Sequence, residues 1–439
     1  MNIAPHRLSI AQLFASNNEQ FIVPSYQRRY AWGYNQTAAL FDDIAMLKKE
    51  DGHLLGMIIL HCETHSGDLN RPELVDGQQR LTTLAILLKA MQSRFLELEN
   101  MDKVSDIEKM LTCHGLDEKK LPKLELGDLD HDDLNTLLSN DRTKEFTNHN
   151  IKEAYDNFKN RIDVLKNDEL QKYFFSLTNV AVIIRLDVEK AQDAYKLFET
   201  INNRGLRLSP TDIIKNFLLG HAAKLEPEIF VKTKSLWSSI ITNLDGIDSD
   251  DFLRQYLCSL LVRKVSSSQM VYEFKKYYFK HIKDADKLGE FSYYVDEKVL
   301  NDEEETNGEE LTSEQEIDNG KDSQITIIEF LQKIEEISKV YRKISLEEYE
   351  EEKVNRHIKY LNKILSRPTY IFLMHFLQKN LSESIKVEVL KVLEAFMLRR
   401  HICEKRTGEL DDIFSKTMKI IESTDIVGDL RKQLAPDVP

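Results

Sequence analysis

Residues 74–84, Leu74-Val75-Asp76-Gly77-Gln78-Gln79-Arg80-Leu81-Thr82-Thr83-Leu84, turn the backbone abruptly. Leu74-Val75 reads as a short strand, Asp76-Gly77 breaks it, and helical apolar spacing begins at once. The spacing predicts a helix from Gln78 to about Leu98. A strand that runs straight into a helix belongs to an α/β unit. The first-turn N–H groups of such a helix have no intrahelical acceptor, and the helix dipole adds positive potential there. Gly77 permits φ > 0 and a close approach of backbone to ligand. Arg80 supplies a planar fork suited to phosphate oxygens. Two readings stay open on this geometry: a phosphate or nucleotide site, or an ordinary strand–glycine–helix turn with a polar first turn. The segment is neither a G-x-x-x-x-G-K-[ST] loop nor a G-x-G-x-x-G turn.

The surrounding pattern sets the fold class. Ser9 and Gln12 form a capping box ahead of a first helix. Phe21-Ile22-Val23 is a short strand stopped by Pro24, and Gln36–Leu47 has helical spacing. Leu55–Leu60 reads as a buried strand, with Gly56 where the backbone passes close to another element. Residues from about 100 to 175 are helical and polar, and Leu111–Asp133 reads as loops inside this insertion. Val180–Leu186 is a buried strand, followed by a helix from Lys190 to Ile201. Asn202-Asn203-Arg204-Gly205 reads as its stop. Ser209-Pro210-Thr211-Asp212 restarts a helix, with Ser209 as N-cap and Pro210 at its first position. The expected architecture is α+β and predominantly helical. A small α/β domain over 1–225, with the insertion at about 100–175, precedes a helical domain over 226–439.

With 439 residues, 41% hydrophobic and 31% charged, the chain is globular and helix-rich in composition. No apolar run approaches the roughly 20 residues that span a bilayer, so no membrane partner is expected. The N-terminus has no secretory apolar core. Cys62, Cys113, Cys258 and Cys403 lie far apart and read as reduced thiols of a cytoplasmic protein, without a zinc site. The net charge of −14 is uneven: residues 296–322 hold twelve acids and two lysines, leaving −4 for the remainder. That acidic stretch lacks apolar periodicity and reads as a mobile loop.

Several clusters can carry chemistry, each beside a plainer reading. Tyr26-Gln27-Arg28-Arg29-Tyr30-Ala31-Trp32 joins aromatics to positive charge. It can stack a base and hold a phosphate, or supply core anchors and surface ion pairs. Glu199, Asn202, Asn203 and Arg204 offer oxygen ligands for Mg²⁺ beside phosphates, or a capped helix end. Asp212 and Lys215 can brace that turn. Asp76 can orient water or a metal, or bond its own turn. Arg399 and Arg400, with Lys405 and Arg406, form the densest basic cluster of the C-terminal half, and Arg254, Arg263, Lys264, Lys275 and Lys276 are further candidates for DNA phosphates. The alternative for Arg399 and Arg400 is pairing with acids such as Glu394 or Glu404.

Taken together, four motifs resemble the N-terminal domain of GmrSD-type modification-dependent restriction enzymes. They are DGQQRLTTL at 76–84, the Ile22–Trp32 segment, Phe198–Asp212 (FETINNRGLRLSPTD), and the double arginine within Met397–Cys403. The first subdomain of that family is similar to the ParB and sulfiredoxin fold. The resemblance implies an NTP-binding, NTP-hydrolysing sensor of an anti-phage system, with Mg²⁺ and an NTP (GTP, ATP or another) as cofactors. It places Tyr26, Gln27, Arg28, Gly77, Gln78, Gln79, Arg80, Thr82, Thr83, Asn203 and Arg204 around the nucleotide. Asp76, Arg28 and Arg80 take catalytic roles, and Glu199 and Asn202 hold the metal. Trp32 stays as packing. The implied partners are DNA, modified or not, and a nuclease domain or subunit, because no D-H-x-x-P motif of an HNH nuclease is found; a homo-oligomer stays open. Two rivals remain: a ParB-like DNA-binding nuclease without NTP turnover, and a non-enzymatic nucleotide-binding scaffold.

Overall fold

The computed structural model describes residues 3–47, 53–62, 69–115, 119–139, 144–202, 209–288 and 324–437, with backbone only at 3 and 199–202. The acidic stretch at 296–322 therefore lies outside the described residues. The fold is α+β and predominantly helical. Its packing divides into two units, Met1–Gly205 and Leu206–Pro439, a division ahead of the boundary expected after residue 225.

Unit 1 is built on a six-stranded mixed sheet in the order β1-β8-β3-β4-β2-β7. The strands are β1 (Ile3–Ser9), β2 (Phe21–Ile22), β3 (His53–His61), β4 (Glu73–Asp76), β7 (Leu124–Glu125) and β8 (Ala181–Val188). β5 (Thr112–His114) and β6 (Lys120–Pro122) form a separate antiparallel pair. β8 runs antiparallel to β1 and parallel to β3, and β4 is antiparallel to β3 but parallel to β2. The helices are α1 (Ile10–Leu13), α2 (Tyr34–Ala45), α3 (Gln78–Glu97), α4 (Met101–Leu111), α5 (His131–Ser139), α6 (His149–Asp163), α7 (Asn167–Phe175) and α8 (Ala191–Asn202).

Four strands depart from the sequence reading. β1 lies where only a helix start was expected, and it carries Pro5. It sits at the sheet edge, where a missing N–H costs no ladder bond. The expected loops of 111–133 hold β5, β6 and β7, and β7 joins the central sheet beside β2. By contrast the Ser9–Gln12 capping box, the α3 and α8 boundaries and the β3 and β8 strands follow the expectation to within two residues.

α3 is buried on every side from Leu81 to Met91, because α4 and α6 both pack on it. Across the sheet, Arg185 on β8 grips Glu19 with both terminal nitrogens at 2.8 Å and gives Nε to Asp187 at 2.8 Å. Glu19, in the loop before β2, lies far from Arg185 in sequence, so the network pins β8, inside the sheet, to that loop.

Unit 2 is helical: α9 (Pro210–Ala222), α10 (Pro227–Asn243), α11 (Ser249–Leu261), α12 (Met270–His281), α13 (Ile327–Ser345), α14 (Glu352–Lys363), α15 (Tyr370–Phe376), α16 (Glu383–Ile402), α17 (Leu410–Lys416) and α18 (Ile426–Leu434). α9 starts as its sequence dictates, with Ser209 accepting from Asp212 N–H at 3.1 Å. Phe217 on α9 meets Phe274 and Tyr278 on α12 edge-on, which ties α9 to this unit.

α14 ends on a leucine where glycine is usual. Leu365 N–H donates to Asn362 O at 3.0 Å and Ser366 N–H to Leu361 O at 3.2 Å, the Schellman pattern, with Leu365 at φ 52°. Leu365 is 82% exposed, so little packing offsets its left-handed backbone. Leu365→Gly is expected to raise the unfolding free energy by about 0.5–1 kcal/mol. Urea denaturation should show a higher midpoint at unchanged slope; a lower midpoint would mean that the leucine packs.

Candidate functional site

The β4–α3 turn forms as the sequence requires. Gly77 caps α3 at φ 100° and ψ 9°. A Cβ at 77 would lie 2.5 Å from Ile58 Cγ2 on β3, so glycine is needed for both backbone angle and space. The first intrahelical bond runs from Leu81 N–H to Gly77 O at 3.0 Å. Among the described residues nothing accepts from the N–H groups of Gln78, Gln79 and Arg80, and no side chain caps the helix.

The side chains of this first turn divide the work. Gln78 Nε2 donates to Arg28 O at 2.8 Å. Gln79 Oε1 accepts from Ala31 N–H at 2.7 Å and Trp32 N–H at 3.2 Å, while its Nε2 donates to Arg29 O at 3.1 Å. Gln27 Nε2 reaches back to Leu74 O and Val75 O at 3.3 and 3.1 Å. Three amides thus zip residues 27–32 against β4 and α3. The three were expected to contact a nucleotide; their amides instead hold backbone, each amide offering both a donor and an acceptor to peptide groups within reach.

Arg80 turns the other way. Its Nη1 donates to Met57 O at 2.6 Å. Gly56, at φ 121°, makes room: a Cβ there would sit 2.8 Å from Arg80 Cζ. The close approach expected at Gly56 is therefore made by the Arg80 guanidinium. Burial lowers the arginine's pKa, against which Asp76 raises it. The remaining donors of the fork have no acceptor among the described residues. Asp76, which ends β4 opposite Ile59, is half-buried, and Arg28 is exposed on the adjoining segment.

Other expected site residues lie inside the unit. Tyr26 is 2% exposed, and its hydroxyl bonds Glu73 and, at 2.9 Å, Tyr195. Its ring has no face left for a base. Thr82 and Thr83 are fully buried. Thr83 Oγ1 donates to Gln79 O at 2.7 Å and meets Tyr30 Oη at 2.8 Å, whereas Thr82 Oγ1 has no partner among the described residues. Both are withdrawn from phosphate contact by the all-round burial of α3. Trp32 packs against the core, as expected. Asn203 and Arg204 lie outside the described residues, as do the side chains of Glu199 and Asn202 on α8.

Sequence reasoning missed what fixes the 27–32 segment from its far side. Asp130 Oδ2 accepts from Tyr30 N–H at 2.6 Å, and Asn148 Nδ2 donates to Asp130 Oδ1 at 2.8 Å and to Tyr30 O at 3.0 Å. Arg29 Nε stands 3.4 Å from Asp130 and its Nη2 donates to Leu129 O and Thr147 Oγ1. Burial pushes the Asp130 carboxyl up from its usual range. No local signal marks Asp130 or Asn148, since the Tyr30 backbone they hold lies 100 and 118 residues away.

This turn, its zipped loop and its strands all fall in a stretch that matches one family model: residues 10–219 match the GmrSD restriction endonuclease, N-terminal domain. Residues 10–219 belong to that domain family. A comparison with curated proteins finds no match for the chain. The GmrSD N-terminal domain thus contains three of the four motifs, and the double arginine lies beyond it. No helix of the described residues is long and apolar enough to cross a membrane.

Outside the GmrSD domain the basic candidates are mostly engaged. Arg400 is 5% exposed; its Nη1 donates to Asp437 O at 2.9 Å and its Nη2 to Arg406 O at 3.0 Å, with Glu409 at 3.3 Å. It is a brace for the C-terminal turn rather than a DNA contact, and its acid is Glu409, not Glu394 or Glu404. Arg399 is exposed. Arg254 pairs with Asp411 at 2.6 Å, Arg263 with Glu273 at 2.7 Å, and Lys264 donates to Gly408 O. Lys275 lies over the Phe217 ring, and Lys276 is exposed. Arg400→Ala is expected to lower unfolding free energy by about 1–3 kcal/mol, since the buried guanidinium's charge-assisted bonds to two carbonyls are lost. Arg399→Ala should stay within about 0.5 kcal/mol. Equal melting temperatures for the two variants would contradict the brace.

Proposed function

We propose that the chain is the NTP-binding and NTP-hydrolysing regulatory component of an anti-phage DNA restriction system. One observation carries this: in a GmrSD domain, α3 begins with three N–H groups that are unpaired among the described residues, a left-handed glycine, and an arginine fork with donors to spare among the same residues. That combination suits the oxygens of a polyphosphate. The resemblance to ParB-like domains supports the same assignment.

In this reading the N–H groups of Gln78, Gln79 and Arg80 hold the β and γ phosphates, and Gly77 lets them approach. Gln27, Gln78 and Gln79 act through backbone, fixing the segment that carries Arg28. Arg28 and Arg80 neutralise the charge that develops on the γ-phosphoryl group as water attacks phosphorus and the bond to the β-phosphate oxygen breaks. Asp76 accepts a hydrogen bond from that water and orients it. A single half-buried carboxylate also suits Mg²⁺, which keeps waters and takes phosphate oxygens beside one or two carboxylates. Mg²⁺ when bound would offset phosphate charge. Glu199 and Asn202 remain proposed metal ligands, and Asn203 and Arg204 proposed phosphate contacts. Cleavage belongs to a nuclease domain or subunit outside this chain, gated by hydrolysis.

The test uses the full chain with each NTP and Mg²⁺, with and without DNA, assayed for phosphate release and DNA nicking. Phosphate without nicking is the expected result. Nicking without phosphate would make the chain a ParB-like nuclease, and neither would leave a nucleotide-binding scaffold.

A further inference from the structure

The outward face of α14 (Glu352–Lys363) carries charge that the fold leaves uncompensated. Val354, His357, Ile358 and Leu361 face inward and are buried. Lys353, Arg356, Lys359 and Lys363 are all exposed on the other side. Their spacing of three or four residues makes them neighbours along one stripe. At helical rise the stripe is about 15 Å long. Tyr360, 46% exposed, stands among them. Acids collect just before the helix and at its first residue, where the dipole favours them.

Among the described residues no carboxylate is in ion-pair contact with Lys353, Arg356, Lys359 or Lys363. Lys359 and Lys363 have no acid three or four positions away in sequence, and Glu352, four before Arg356, is not in contact with it. On neighbouring α16, Glu394 feels both Arg356 and Lys391, but its Oε1 is held by His357 Nδ1 at 2.7 Å. Lys391 is exposed beside the same acid and adds a fifth cation. This contrasts with Arg254, Arg263 and Arg400, which the fold engages.

A small anion needs donors that converge, and a convex helix face does not provide them. A linear polyanion does match a straight row of cations on long stems. Duplex DNA presents about one charge per 1.7 Å of axis, and a tyrosine hydroxyl also serves phosphate oxygens. We propose that Lys353, Arg356, Lys359, Tyr360 and Lys363 form a sequence-independent contact surface for the phosphate backbone of duplex DNA. The choice of DNA as the polymer rests on the restriction role proposed above.

The test is fluorescence anisotropy of a labelled duplex of random sequence, titrated with the full chain over a range of salt. The variant Arg356→Glu/Lys359→Glu/Lys363→Glu is expected to bind at least tenfold more weakly. Its salt slope should flatten by about 2–3, at roughly 0.9 per lost phosphate contact. Its melting temperature should stay near that of the parent. The comparison is Lys232→Glu/Lys280→Glu/Lys333→Glu, which changes net charge equally at exposed positions elsewhere and should lose far less affinity. Equal losses in the two variants, unchanged binding by the first, absent binding by the parent, or tighter binding of duplex RNA would each overturn the proposal. A milder variant, Arg356→Gln/Lys359→Gln/Lys363→Gln, covers the case in which charge reversal unfolds the helix; it too should bind more weakly. Phosphate release without DNA should be the same in every variant. A parent that binds DNA through α14 yet releases no phosphate would sink the nucleotide reading and leave this surface standing.

Discussion

Gly77→Ala is expected to lower the unfolding free energy by roughly 2–4 kcal/mol, combining left-handed strain with overpacking. The first contribution is the backbone: φ 100° suits glycine and strains any residue with a Cβ. The second is contact, because the new Cβ would meet Ile58 Cγ2 at 2.5 Å and Ile58 Cα at 3.3 Å. Ile58 is fully buried and its backbone belongs to β3, so it has little room to yield. Relief would come by prising β4 from β3 at the Ile59–Asp76 pair, which also misaligns the α3 N–H groups. Nucleotide binding should therefore fall with stability. Gly77→Asn separates the two contributions: asparagine tolerates φ > 0 but keeps the Cβ. It should remain nearly as damaging. Urea denaturation decides, and a fully stable Gly77→Asn variant would show that the close approach to Ile58 matters little.

Arg80→Ala is expected to behave differently. Among the described residues the arginine makes one bond, from Nη1 to Met57 O, and its fork lies in the space that Gly56 leaves open. Removing it costs the fold about 1 kcal/mol, the net worth of one hydrogen bond. Removing a charge-assisted contact from a bound phosphate costs more, on the order of 1.5–3 kcal/mol. Affinity for nucleotide should then fall roughly ten- to a hundredfold, by the same free energies, with the protein still folded. Arg80→Lys should recover part of the affinity, since the charge returns without the planar fork.

The contrast between these two positions shows what the sequence could reveal. Gly77 and the α3 start were legible because a strand, a glycine and a helical period meet within a few residues. The same holds for Ser209 and Pro210, whose capping roles are local. The roles of Gln78 and Gln79 were not legible. Residue type announced amides at a helix start, but their partners, Arg28 O to Trp32 N–H, lie about fifty residues away. Thr82 and Thr83 looked available because the first turns of a helix usually face solvent on one side. In this fold α4 and α6 cover α3, so its polar face is inside. β1 and β7 escaped for another reason: one carries Pro5 and charges at a sheet edge, and the other is two residues long. Arg399 and Arg400 were adjacent and equal in sequence, yet one is exposed and the other buried, because adjacent helix positions face about 100° apart.

The most direct measurement is a calorimetric titration of the four Mg²⁺–nucleoside triphosphates into the full chain and into Arg80→Ala. We expect saturable binding of at least one triphosphate at one site per chain, weakened tenfold or more by Arg80→Ala at little-changed melting temperature. Equal affinity in the parent and a folded Arg80→Ala variant, or no binding of any triphosphate by the parent, would contradict the account.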